Sequence, residues 1–194
     1  MSRSRTARRS DVADSWCAFR TAIGWLGIAG RGPVVRAVFV GHPSVLSVMQ
    51  AAQQWAVESS PTGSLDEADW HPALRECLQA YAKGERVDFH GVQLELPERT
   101  PFRDRVLAAT RRLGYGATTT YGDLARRVGH PGAARAVGTV MSTNRFPILI
   151  PCHRVLAAGG KLGGYTSPSG TDLKRRLLDM ERDAMPLRAR LIRE

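Results

Sequence analysis

Cysteine is scarce in this chain: three residues in 194, widely spaced at Cys17, Cys77 and Cys152, with no CxxC pair. That pattern argues against a disulfide framework and a structural zinc site. It points to a reducing compartment, the cytoplasm or, in a eukaryote, the nucleus. Long apolar runs are missing too: no stretch approaches the roughly 18 residues a membrane-spanning helix needs. Met1 to Ser10 is rich in Arg and Ser with no apolar stretch behind it. A secretory signal is therefore not expected, and residues 1–14 read as a flexible basic tail. Acid is short in one half only. Residues 1–100 carry 11 Lys+Arg against 11 Asp+Glu, leaving 17 against 7 in residues 101–194, where the whole net charge of +10 resides. A basic half beside a neutral one suits a polyanionic partner for the basic half, although Arg-rich composition alone produces the same excess.

What is present is ordinary globular material, 43% apolar and 24% charged. Ala22–Ile28 and Val34–Val40 are apolar runs joined by a Gly/Arg/Pro turn, which predicts a hairpin. Ser44 opens a helical pattern with Val45, Val48, Ala52 and Trp55 on one face. A Ser/Pro/Gly loop over 59–64 follows, then a helix over 71–82 with Cys77 on its apolar face, then an alternating strand over 87–96. Nothing in this stretch suggests chemistry, and its expected role is structural. Past a boundary near 98–101, Pro101 suits the first position of a helix carrying Phe102, Val106, Leu107, Thr110 and Leu113. Thr120 can cap a short helix, with Asp123 completing a capping box and Gly129 ending it. Pro131 opens another, running from Gly132 to about Thr143. Two short helices on a tight Gly-containing turn signal a helix-turn-helix. Ala133, Ala134, Ala136 and Gly138 make the second helix thin, suited either to close packing or to entering a groove, with Arg135 projecting from it.

Phe146 to Leu156 is apolar and β-branched but broken by Pro147 and Pro151, which predicts a buried extended segment rather than an interior strand. It presents Cys152 beside His153 and Arg154. Three readings are open for that cysteine: an inert buried thiol, half of a metal site, or a nucleophile. The metal reading lacks partners, because His42, His71, His90 and His130 are scattered. A flexible Gly-rich loop over 159–170 and a helix over 171–182 with Leu173, Leu177 and Leu178 close the pattern.

Ile150-Pro151-Cys152-His153-Arg154-Val155 resembles the active-site signature of the O6-alkylguanine-DNA alkyltransferases. The likeness is collinear: Thr100-Pro101-Phe102, Thr120 to Ala125, Ala133 to Gly138, Asn144, Pro147 to Val155, Gly164-Tyr165, and Leu177 to Glu181. It covers the C-terminal half; residues 15–98 resemble the family only in size and element order. The implied fold class is α+β. A small ribonuclease H-like α/β domain (15–98) precedes a mostly helical domain with a helix-turn-helix (99–183) and a tail (184–194).

The resemblance implies direct-reversal DNA repair: stoichiometric, irreversible transfer of an alkyl group from guanine O6, or thymine O4, to Cys152. By the same token His153 takes the thiol proton through a water, Glu181 orients His153, and Asn144 supports the active-site segment. Tyr165 protonates the leaving guanine, the Cys152 and Val155 backbones read its edge, and Met141 and Thr166 complete the pocket. The second helix enters the minor groove of double-stranded DNA with Ala133, Ala134 and Gly138, and Thr120 at the start of the first helix also contacts the DNA. There Arg135 fills the space of the flipped base and Tyr121 crowds its phosphate. No metal or organic cofactor is called for, and the protein is expected to act as a monomer without a membrane. Two departures stand out: Arg145 replaces a common proline, and the loop over 166–172 is longer than usual, which leaves the role of Lys174 open. Relatives that bind alkylated DNA without repairing it replace the cysteine; the intact Cys152, His153 and Glu181 argue against that reading. A helix-turn-helix regulator would leave the run from Asn144 to Val155 unexplained.

Overall fold

A computed structural model describes residues 13–59, 64–97 and 99–185. Most of the expected tails, with parts of the 59–64 loop and Glu98 at the boundary, lie outside the described residues. Three antiparallel strands, β1 (Asp14–Thr21), β2 (Gly24–Arg31) and β3 (Val34–His42), form the centre of a five-stranded sheet. β4 (Leu65–Glu67) adds in parallel beside β1, and β5 (Gln93–Leu94) in parallel beside β3. The hairpin is where the sequence puts it, though β2 starts two residues later than expected. β1 was not anticipated, although Trp16 and Cys17 alternate to opposite faces as a half-buried strand requires. The expected closing strand over 87–96 shrinks to β5. Its first half is a turn in which the Asp88 carboxylate accepts the His90 N–H at 2.8 Å, and Gly91 follows.

Helix α1 (Val45–Ser59) covers one sheet face through Val48, Ala52 and Trp55, with Val45, expected on that face, 41% exposed. Its approach depends on Gly27, where a Cβ would sit 2.4 Å from Val48 Cγ1. The opposite face packs on α2 (Pro72–Ala82) and runs into one core with the helical half, including Leu78, Tyr81, Leu107, Leu124, Val137 and Leu177. That half contains α3 (Pro101–Arg111), α4 (Tyr121–Arg127), α5 (Ala134–Ser142) and α6 (Gly170–Asp183). Short parallel strands β6 (Thr119–Thr120) and β7 (Val155–Leu156) tie the start of α4 to the segment after Cys152. Pro101 opens α3 as expected, with Thr100 as a cap the sequence reading did not name. The expected Thr120 cap is found, accepting the Asp123 N–H at 3.0 Å while donating to its carboxylate at 2.6 Å. The helix expected from Gly132 begins at Ala134 instead, after a turn over 131–133.

Residues 144–154 are not extended. They form successive turns ending in a 3-10 turn, Cys152–Arg154, and Ile148 adopts φ +73°. A β-branched residue in that region is strained and persists only where its surroundings hold it. Asn144 supplies the hold: its Nδ2 donates to Ile150 O at 2.9 Å, and its Oδ1 accepts the Phe146 N–H at 3.0 Å. The Arg145 carbonyl accepts from Val38 N at 2.8 Å, anchoring the same turns to β3. No helix among the described residues is long and apolar enough to cross a membrane.

Candidate active site

Cys152 opens its 3-10 turn at the floor of a cavity of about 610 Å³. The wall is built by the Thr120–Gly122 start of α4, by Ala134, Arg135, Gly138 and Met141 of α5, and by Gly164, Tyr165 and Thr166 from the loop before α6. Nine residues singled out from the sequence thus converge on one space: Thr120, Tyr121, Ala134, Arg135, Gly138, Met141, Cys152, Tyr165 and Thr166. Ala133, Asn144, Val155, His153 and Glu181 stand outside its lining. Asn144 acts from behind, and Ala133 caps α5 without a side-chain bond. The exposed Arg135 guanidinium has no acidic partner among the described residues. The Thr120 hydroxyl is already committed to Asp123.

Burial pushes the Cys152 thiol up, opposed by Asn144, by the Lys174 ammonium and by Tyr165. The thiol is therefore held protonated at rest and needs a proton acceptor to react. The Tyr165 hydroxyl is enclosed, with the Cys152 sulfur as its neighbour and no nitrogen or oxygen partner. Lys174 is fully buried; its Nζ donates to Val155 O at 2.7 Å and lies 5.7 Å from the centre of the Tyr121 ring. Desolvation lowers its pKa to about 8.

His153 is fully buried, with Nε2 2.9 Å from Glu181 Oε1. Burial lowers its pKa against the upward pull of Glu181. Burial would raise the Glu181 pKa, but hydrogen bonds and charge from His153 and Arg154 hold it well below the usual carboxylate range. An ionised carboxylate only accepts. The proton must therefore be on His153 Nε2, leaving the lone pair on Nδ1, an enclosed nitrogen without a protein partner. Among the described residues, His, Cys, Asp and Glu form no cluster of a size to hold a metal.

Three participants escaped the sequence reading. Arg154, expected only as a cationic neighbour of the thiol, instead grips Glu181 through Nε at 2.9 Å and Nη2 at 2.7 Å, and donates from Nη1 to Leu113 O. Lys174 lies about two turns before Glu181 on α6; its lone cationic position on an apolar face was the available signal. Tyr81 comes from α2, in the half expected to be chemically silent. Its hydroxyl donates to Glu181 Oε1 at 2.6 Å and lies 3.3 Å from His153 Nε2. A tyrosine on an apolar helix face needs a partner for its hydroxyl, but nothing in the sequence says which.

Residues 101–183 match the family described as 6-O-methylguanine DNA methyltransferase, DNA binding domain. A methylated-DNA–protein-cysteine methyltransferase of Mycobacterium tuberculosis is 38% identical over 154 residues, covering 79% of this chain and 90% of that protein. The constitutive one of Bacillus subtilis is 36% identical over 163 residues, covering 84% and 92%. The crystal structure of M. tuberculosis OGT in complex with DNA superimposes with a TM-score of 0.70 at 32% identity, over 92% of this chain and 99% of that one. The archaeal enzyme of Pyrococcus kodakaraensis gives 0.67 at 26% identity, over 87% and 98%.

Proposed function

The chain belongs to the O6-methylguanine-DNA methyltransferase family, and from that premise we propose the part each residue plays. The family's activity, direct reversal of DNA alkylation by moving the alkyl group from guanine O6 to a cysteine of the protein, is the activity of this chain. We assign the acceptor to Cys152. One observation carries the assignment: of the three cysteines, all described, Cys152 alone lines the cavity framed by Tyr121, Arg135 and Tyr165.

In the transfer, the Cys152 sulfur attacks the alkyl carbon as the C–O6 bond breaks, and that electron pair leaves with the guanine. The thiol proton passes to His153 Nδ1 through a water. Tyr165 supplies a proton to the departing base, so guanine leaves neutral, and the proton taken up by His153 is passed back to the tyrosinate, leaving no net charge. Asn144 and Lys174 offset the charge that develops on sulfur. Atoms balance without a metal or organic cofactor. The thioether is not hydrolysed by these groups, so each molecule acts once.

The pair α4–α5 is read as a helix-turn-helix, with α5 as the element that enters the minor groove. Ala133, Ala134 and Gly138 keep it thin enough for a groove about 6 Å wide. Arg135 then occupies the stack position of the flipped guanine and Tyr121 crowds its phosphate, offsetting an unstacking cost of a few kcal/mol. The Cys152 and Val155 backbones and the side chains of Met141 and Thr166 hold the base. The N-terminal unit (15–98), ordered β5-β3-β2-β1-β4 with β4 parallel to β1, supports a ribonuclease H-like reading distinct from the DNA-binding unit (99–183). One copy carries every group named, consistent with a monomer.

Incubation with a duplex containing O6-methylguanine tests the assignment. One added methyl group on the Cys152 peptide by mass spectrometry is expected. A bound duplex that keeps its methyl group would overturn it in favour of a non-repairing binder.

A further inference from the structure

The Glu181 carboxylate is crowded. Oε1 accepts from Tyr81, His153 and Arg154, and Oε2 from Arg154 and from Gly116 N at 2.9 Å. Of these donors Tyr81 alone comes from the sheet-bearing half, 100 residues before its partner. It is fully buried, outside the DNA-facing cavity, and its ring packs edge-on against Phe89 and Tyr115 with centroids 5.9 and 6.0 Å away. Those contacts position the ring; a phenylalanine would make them equally well. What the hydroxyl adds is electrostatic.

We propose that Tyr81 is a positioning residue of the alkyl transfer, its hydroxyl holding the Glu181 carboxylate and, through it, the proton-accepting state of His153. The proposal rests on His153 being the base, as proposed above. Two contacts compete. At 2.6 Å the hydroxyl donates to Glu181, drawing off part of the charge that would otherwise stabilise an imidazolium. At 3.3 Å its oxygen is too distant to stabilise that imidazolium comparably. The shorter contact wins, so Tyr81 keeps His153 neutral and available. The other charged or titratable groups facing His153 are Glu181 and Lys174 of α6 and Arg154 of its own turn. Tyr115 and Arg86 stand behind Arg154. Of these, Glu181 alone loses a hydrogen bond in Tyr81→Phe.

The test is a single-turnover pH profile of methyl transfer to Cys152 for the wild type and Tyr81→Phe. Removing a hydrogen bond to a charged group should move the midpoint of the acid limb up by about one pH unit. Below that midpoint the variant should be about tenfold slower, converging with the wild type at alkaline pH, with unchanged affinity for the damaged duplex. Superimposable profiles, or a uniform loss at every pH, would overturn the role of Tyr81. Nitrogen NMR of the wild-type His153 ring provides a check that needs no variant: an Nδ1–H tautomer would also overturn it. An acid limb unaffected by His153→Gln would instead remove His153 as the base, a failure of the underlying reading and not of Tyr81 alone.

Discussion

Two buried ionisable side chains of α6 respond to burial in opposite ways, and their partners explain why. Lys174 donates to one carbonyl and meets no carboxylate among the described residues, so desolvation dominates and brings its pKa from 10.5 to about 8. Its folded-state value is lowered, so the unfolded chain binds more protons between about pH 8 and 10.5 and stability from this group rises with pH there. Relative to Lys174→Met, the wild type should gain stability across that window in urea titrations; a constant difference would show that Lys174 is not desolvated. Glu181 has a guanidinium, an imidazole, a hydroxyl and an amide, and stays ionised. Its stabilising contribution is present above the unfolded carboxylate range and is lost as pH falls through its depressed folded value. Glu181→Gln leaves Arg154 buried without its counter-charge and should cost about 3–5 kcal/mol at neutral pH, measured by denaturant unfolding. That cost should shrink on acidification.

At the scale of elements, α5 carries the DNA-facing prediction. Arg135→Ala should slow methyl removal from duplex DNA by about tenfold or more while leaving reaction with a free O6-alkylguanine base almost unchanged, because a free base needs no flipping. Equal slowing of both would remove Arg135 from that step. The elements around α5 were largely legible because their signals are local. Pro101 and the pair Thr120 and Asp123 mark their helix starts within four residues, and small residues on α5 are visible at a glance. The turns over 144–154 were not. Two prolines reveal that the segment is no interior strand, but the left-handed Ile148 depends on bonds from Asn144 and on the anchoring of Arg145 to β3. The contact between Tyr81 and Glu181 is further still from any local pattern, since burial of both groups is decided by the packing of one half on the other. Cys152 itself was legible as a position, yet the groups flanking its sulfur, Asn144, Tyr165 and Lys174, are assembled by tertiary structure from three segments.

For the whole molecule, the question is whether the sheet and the helices fold as one body. Their join is made of several independent contacts. Gly41 at φ +71° lets β3 approach Leu173, where a Cβ would lie 2.5 Å from Cδ2, and the Gly41 carbonyl accepts from Ser169 Oγ at 2.9 Å. Arg111 of α3 donates to the carbonyls of Phe89, His90 and Val92. Tyr81 and the continuous apolar core add to these. Breaking any one exposes a side chain of each half, so the halves should lose structure together. The sequence offers a clean readout, because all four tryptophans (Trp16, Trp25, Trp55, Trp70) lie before residue 71 and Cys152 lies far beyond it. Tryptophan fluorescence and peptide-level alkylation of Cys152 by a thiol reagent should therefore give the same urea midpoint. Gly41→Val, which adds a β-branched side chain at a positive φ against Leu173, should cost about 2 kcal/mol or more of unfolding free energy and lower both midpoints equally. Separate midpoints, with the tryptophans reporting early and Cys152 late, would mean that the helical half stands alone.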